Sequence, residues 1–210
     1  MQATAETGNP EVGLLGRDQP CQDEAVNEKR KALLDIVVAG GLTHFDEPVE
    51  LASGELSRDF IDAKHALALG SDLRLACEVI ADIAAEAGVS FDAVGGLTLG
   101  ADQFAHGVAM VTGARWFVIR KQPKGRGTDK WVEGAALGPG VRVLLVDDVI
   151  TTGGSIRLAC ERVRAEGAEV VLATTLVDRG DIAARYFDEA GVVYRPVFTY
   201  HDLAIVPVGG

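Results

Sequence analysis

Apolar residues along this chain recur in two ways, at three- to four-residue intervals and as short, nearly continuous runs. The first 23 residues show neither pattern; they mix Gly, Pro, Gln, Thr and acids. Such a stretch cannot repay its ordering entropy alone, and residues 1–23 are expected to form a disordered tail. From Glu24 the pattern becomes helical, with Val26, Leu33, Leu34, Val37 and Val38 on one stripe before Gly40-Gly41 stops it. Short segments through Phe45, Val49, Leu51, Phe60 and Ile61, broken by Pro48 and Ser53-Gly54, predict small strands of a subsidiary lobe. A second helix is expected over Asp72 to Ala87, carrying Leu75, Val79, Ile80, Ile83 and Ala84, with Gly88 as its stop. Beyond it the chain alternates. Strands are expected at Ala93 to Leu99, Trp116 to Arg120, Val141 to Val146 and Val170 to Val177, and helices near Ala101 to Val111, Ser155 to Glu166 and Asp181 to Ala190. Alternation of helices with almost unbroken Val/Leu runs specifies an α/β domain, a parallel sheet covered on both faces.

The 210 residues suffice for one compact domain with a short tail and no disulfide or metal staple. A net charge of -11 argues against nucleic acid and anionic membrane as partners and leaves room only for a local basic site. The three cysteines, Cys21, Cys77 and Cys160, are odd in number and widely spaced. They suit free thiols in a reducing compartment. No run approaches the roughly 18 apolar residues of a membrane span, and the first residues lack a basic start followed by an apolar stretch. A cytoplasmic location is therefore expected. His44, His65, His106 and His201 are scattered, with no pair at metal-ligand spacing.

Candidate chemistry concentrates in Val143 to Ser155. Four apolar strand formers end in Asp147-Asp148, and Val149-Ile150-Thr151-Thr152-Gly153-Gly154-Ser155 then opens a helix. In parallel sheets ligands bind beyond the carboxyl ends of strands. Amides of Thr152 to Ser155 with three hydroxyls can hold a phosphate at a helix N-terminus. The acids must then face something other than that phosphate, and ribose hydroxyls or a hydrated Mg²⁺ would suit them. The residues alone also permit a plain acidic strand end and capping turn. No Walker loop occurs. Farther back, Arg115, Arg120, Lys121, Lys124, Arg126 and Lys130 place six of the chain's 20 basic residues between positions 115 and 130, beside Pro123, Gly125 and Gly127. A basic loop of this kind can close on a polyanion, or be only a solvated charged loop.

The Val143 to Ser155 segment closely resembles the phosphoribosyl-diphosphate (PRPP) fingerprint of type I phosphoribosyltransferases. Arg120-Lys121-Gln122-Pro123-Lys124-Gly125-Arg126-Gly127 narrows the resemblance to orotate phosphoribosyltransferases, whose mobile loop reads Arg-Lys-x-x-Lys-x-His-Gly. Val94 to Asp102 looks like their pyrophosphate loop, although a simple βα turn would read the same. Leu51-Ala52-Ser53-Gly54 with Phe60-Ile61-Asp62-Ala63-Lys64 is similar to their N-terminal hood over the base. The resemblance spans about Glu24 to Pro207.

The resemblance implies a domain over 24–210, with the hood near 42–64 and the α/β core near 72–200. It implies catalytic roles for Lys124, Asp147 and Asp148. PRPP would be bound by Arg120, Lys121, Lys124, Asp147, Asp148 and the turn Thr151, Thr152, Gly153, Gly154 and Ser155. Gly96, Leu97, Thr98, Leu99 and Gly100 would form the pyrophosphate loop. Phe60 and Arg179 would contact the base, Arg179 through the orotate carboxylate; a local salt bridge of Arg179 with Asp178 or Asp181 is the alternative. Mg²⁺ would be held mainly by PRPP and water near Asp147 and Asp148, and the protein would be a homodimer. Three departures stand out: Arg126 replaces the loop histidine, Asp59 a hood aromatic and Ala52 a lysine found in many members. They keep open two alternatives, a PRPP- or nucleotide-sensing regulator and transfer to another base.

Overall fold

A computed structural model describes residues 19–123 and 130–209. Lys124 and Arg126, like segment 1–18, lie outside them. Helix α1 (Gln19–Gly41) starts inside the stretch expected to be a tail; Pro20 in its first turn needs no intrahelical donor and fits there. The helix buries Leu33 and Val37, and Lys29 Nζ meets Asp82 Oδ2 at 2.9 Å. Strands β1 (Leu42–Glu50) and β2 (Leu56–Ile61) form an antiparallel pair, with a register shift between His44 and Val49 that accommodates Pro48. The short α2 (Ala63–Ala66) follows, its N-terminus capped by Asp62 Oδ1, which accepts from His65 N at 3.0 Å. Next comes α3 (Gly70–Glu86), whose stripe of Ala76, Cys77, Val79, Ile80, Ile83 and Ala84 is buried.

The remaining elements are β3 (Ala93–Leu97), α4 (Asp102–Thr112), β4 (Arg115–Ile119), β5 (Val132–Gly134), β6 (Arg142–Ile150), α5 (Gly154–Ala165), β7 (Glu169–Asp178), α6 (Ile182–Glu189), β8 (Val193–Tyr194) and β9 (Phe198–Thr199). They build a seven-stranded sheet in the order β5-β4-β3-β6-β7-β8, with β9 also on β7. All pairings are parallel except β4 with β5. Along β6, Leu144 and Val146 join a core layer with Leu33, Ile80, Ile83 and Phe104, while Val143 and Leu145 join Ile156, Cys160, Val163 and Phe187 on the other face. That two-sided burial explains the unbroken apolar run. Burial in these layers raises the thiols of Cys77, to about 12, and Cys160. Among the described residues no helix is long and apolar enough to cross a membrane.

Two strand ends differ from the expectation, and both matter to the site. Strand β3 stops at Leu97 and pairs with β6 only as far as Gly95 opposite Leu145. Strand β6 does not end at Val146; it continues through Ile150 because the long β7 still offers partners, Asp147 opposite Thr175 and Ile150 opposite Asp178. The acid pair therefore lies inside β6, on the side that β3 has vacated. After β3 the chain goes first to β4 on one side and then returns to β6 on the other. The ends of β3 and β6 thus form the crevice of a topological switch point.

Candidate functional site

A cleft of about 330 Å³ opens at that crevice, lined by Asp147, Asp148, the Thr98–Gly100 loop, Thr151, Ser155, Lys64, Lys121, Phe60 and Arg179. A larger hollow of about 590 Å³ lies elsewhere, between Ala81 to Asp92 and Thr112 to Arg115. Its carboxylate, Asp92, is already engaged by Arg142 Nη2 at 3.0 Å, and among the described residues no acid pair lines it.

The loop after β3 rests directly on the acids. A Cβ at Gly100 would lie 2.6 Å from Oδ1 of both Asp147 and Asp148, and one at Gly96 would lie 2.1 Å from the Val146 carbonyl oxygen. Only glycine allows this approach. The Thr98–Leu99 peptide is cis, and Thr98 N donates to the Ile119 carbonyl at 2.8 Å, tying the loop to β4.

Asp147 is 4% exposed. Burial, and next the charge of Asp148, push its pKa well above the ordinary carboxylate range. Asp148 is the more accessible acid, and Lys64 Nζ forms a short ion pair with its Oδ2. Burial works against the Lys64 ammonium, but the hydrogen bond and charge of Asp148 outweigh it, with Asp62 and Asp147 adding to them, and its pKa rises. Nothing local in the sequence marks Lys64 as the partner of an acid, because Asp148 lies 84 positions away. The capped one-turn helix α2 is what aims it across the cleft.

Three residues beyond the acids the chain turns into α5. Gly153 has φ +72, the left-handed region that glycine adopts without cost. The first amides of α5 have no intrahelical acceptors and carry the positive end of the helix dipole. Thr151 and Ser155 line the cleft, while Thr152, Gly153 and Gly154 sit in the turn behind them.

The basic loop divides at its start. Lys121 reaches the cleft. Arg120 stays on the β4–β5 stem: Nη1 is 3.5 Å from Glu133 Oε1, Nε donates to the Gln122 carbonyl at 3.3 Å, and its amide donates to Trp131 O at 2.9 Å. At this stem Arg162 lies 3.6 Å over the Trp131 ring, and the His106 ring sits tilted at 49° with its centroid 4.5 Å from that of the half-exposed Trp116.

At the base end, Phe60 is on the outward face of β2 yet still lines the cleft. Arg179 is 1% exposed, and its Nη2 donates to Ser57 Oγ at 2.9 Å. It makes no turn with Asp178, whose Oδ2 accepts from the Tyr194 hydroxyl at 2.7 Å and whose Oδ1 accepts from Gly180 N at 3.2 Å. Ser57 and Tyr194 carry no motif in the sequence; only the packing of β2 and β8 brings them to this end of β7.

An acid pair under a glycine loop, a helix turn that begins three residues on and a buried arginine thus line one cleft at the switch point of an α/β sheet. Residues 72–193 match the family model of the phosphoribosyl transferase domain, and the chain belongs to this family. Its particular relatives are orotate phosphoribosyltransferases. It is 38% identical to that of Streptomyces avermitilis over 186 residues, covering 86% of this chain and 100% of the relative. It is 34% identical to that of Pyrococcus abyssi over 174 residues, covering 83% and 94%. The solved structure of Mycobacterium tuberculosis orotate phosphoribosyltransferase in complex with PRPP superposes with a TM-score of 0.70 at 31% identity, over 84% of this chain and 99% of that one. The resemblance and the α/β class read from the sequence are thereby borne out.

Proposed function

We propose that this protein transfers the 5-phosphoribosyl group of PRPP to orotate, giving orotidine 5′-monophosphate and pyrophosphate, the step that makes a pyrimidine nucleotide from its free base. The observation that carries this reading is the single cleft joining the Asp147-Asp148 pair, the turn before α5 and Arg179. As the bond from C1′ to the diphosphate oxygen breaks and the bond to the base nitrogen forms, positive charge builds on the ribose and negative charge on the leaving group. Asp147 and Asp148 orient the ribose hydroxyls and favour the cationic sugar. Thr151 to Ser155 anchor the 5-phosphate. The Gly96–Gly100 loop and Lys121 take the diphosphate, with Lys64 shared between it and Asp148, and Lys124, outside the described residues, keeps the catalytic role that the resemblance implies. Phe60 covers the base and Arg179 takes its carboxylate.

The acids fit a metal held mostly by substrate. Asp147 is buried, Asp148 offers one accessible carboxylate, and the described residues contain no group of three or more potential ligands. Mg²⁺ bound with PRPP would supply positive charge against the developing diphosphate. Arg120, committed to the stem, would act by shaping the loop. A cytoplasmic homodimer, with the basic loop reaching the neighbouring site, completes the proposal. PRPP and Mg²⁺ mixed with a panel of orotate, uracil, adenine and hypoxanthine test it: pyrophosphate release fastest with orotate is expected, and release with a purine but not orotate would overturn it.

A further inference from the structure

The buried face of β2 carries more than a hood over the base. Ser57, Asp59 and Ile61 alternate inward along this strand, and Ser57 and Asp59 are 7% and 6% exposed. This face places a hydroxyl against Arg179, the largest fully buried side chain among the described residues, and a buried carboxylate two positions further along the same strand. Ser57 Oγ accepts from Arg179 Nη2 at 2.9 Å and from the Asp59 amide at 3.1 Å, so one oxygen ties the guanidinium to the backbone that carries Asp59. The Arg179 Nε is buried with no hydrogen-bond partner among the described residues, and the residue lines the cleft. The Asp59 oxygens accept from His44 Nδ1 at 2.9 Å and from Val206 N at 3.4 Å. Asp59 therefore acts on Arg179 through its charge. Burial lowers the Arg179 pKa, and the charge of Asp59 is the opposing cause.

A carboxylate that enters to meet Arg179 also meets this buried negative charge, whereas the same ring without a carboxylate does not. In a weakly screened site that difference is large. We propose that Asp59 is a specificity-determining residue: by offsetting the Arg179 charge it lowers the preference of the base pocket for a carboxylate-bearing pyrimidine over the bare ring, while Ser57 holds the guanidinium in position. The pocket then admits uracil as a slow second substrate. The inference rests on the functional reading above and deepens it.

The test is Asp59→Asn, which keeps the shape and an acceptor for His44 while removing the charge, assayed with PRPP and Mg²⁺ at pH 8. The ratio of kcat/KM for orotate to that for uracil should rise about tenfold, through a lower KM for orotate with the KM for PRPP unchanged. Ser57→Ala should move the ratio the other way, severalfold. Should Asp59→Asn not fold, Asp59→Ser reads the same direction. A ratio unchanged within twofold, or lowered, in the Asp59 variants overturns the inference. If the wild-type protein releases no pyrophosphate with orotate, the functional reading fails instead. Calorimetric titration of orotate and uracil into wild type and variant still reads Asp59 in that case: a higher orotate-to-uracil affinity ratio in the variant supports the inference, and an unchanged ratio or no binding of either base overturns it.

Discussion

Replacing Lys64 with methionine keeps most of its stem and removes the cation that meets Asp148. Two unit charges about 4 Å apart attract by about 4 kcal/mol at an effective dielectric near 20. The Lys64 side chain is 48% exposed and that of Asp148 15%, so solvent screening and the entropy of the long side chain cut the direct loss to about 1 kcal/mol. The pH dependence is the more telling readout. Asp147 has its pKa raised by burial and then by Asp148, with Lys64 opposing the rise. A carboxyl whose folded pKa exceeds its unfolded one holds its proton more tightly in the native state, so stability falls as pH climbs from the ordinary carboxylate range towards the raised value. Loss of Lys64 raises that value further. The cost of Lys64→Met should therefore be about 1 kcal/mol near pH 5 and grow to about 2 kcal/mol by pH 8. Urea unfolding of both proteins at pH 5, 6.5 and 8 measures it, with unchanged m values as the control. The KM for PRPP should rise about tenfold at pH 8, a difference of about 1.4 kcal/mol, because its phosphates then meet an uncompensated acid pair, and Lys64→Arg should restore much of it. A stability difference that is flat with pH, or largest at pH 5, would refute the reasoning.

Gly100→Ala should cost at least about 100-fold in kcat while leaving the melting temperature nearly unchanged. Its methyl would lie 2.6 Å from oxygens of both acids, and the loop or Asp148 must move aside; turnover within twofold of wild type would show that the loop does not touch the chemistry. Tyr194→Phe leaves the buried Asp178 without its 2.7 Å donor, so stability should fall by about 1–3 kcal/mol in urea titrations. Because Asp178 precedes Arg179, the KM for orotate should rise as well, with that for PRPP unaffected.

The alternating core was legible because burial on both faces writes each central strand as a continuous apolar run, as in Val143 to Val146. Strands β5, β8 and β9, of two or three residues each, leave no period to read; they exist because β4 and β7 offer edges. Two adjacent charges normally end a buried run, so the sequence predicts the acids past the end of their strand, whereas they lie inside it. The length of β7 overrides that local signal. The outline of the cleft was legible where one contiguous segment carries it, as in the turn whose Thr151 and Ser155 both line it. It was hidden where distant elements supply it: Lys64 meets Asp148 across 84 positions and Ser57 meets Arg179 across 122. Neighbours in sequence were separated just as unpredictably, with Lys121 in the cleft and Arg120 held to Glu133.

The central claim is transfer at the acid pair, and product stoichiometry tests it most directly. With PRPP, Mg²⁺ and orotate, the wild-type protein should form orotidine 5′-monophosphate and pyrophosphate in equal amounts, resolved by phosphorus NMR, and Asp148→Asn should slow both together by at least about 100-fold. Pyrophosphate without nucleotide, or equal rates in the two proteins, would contradict it.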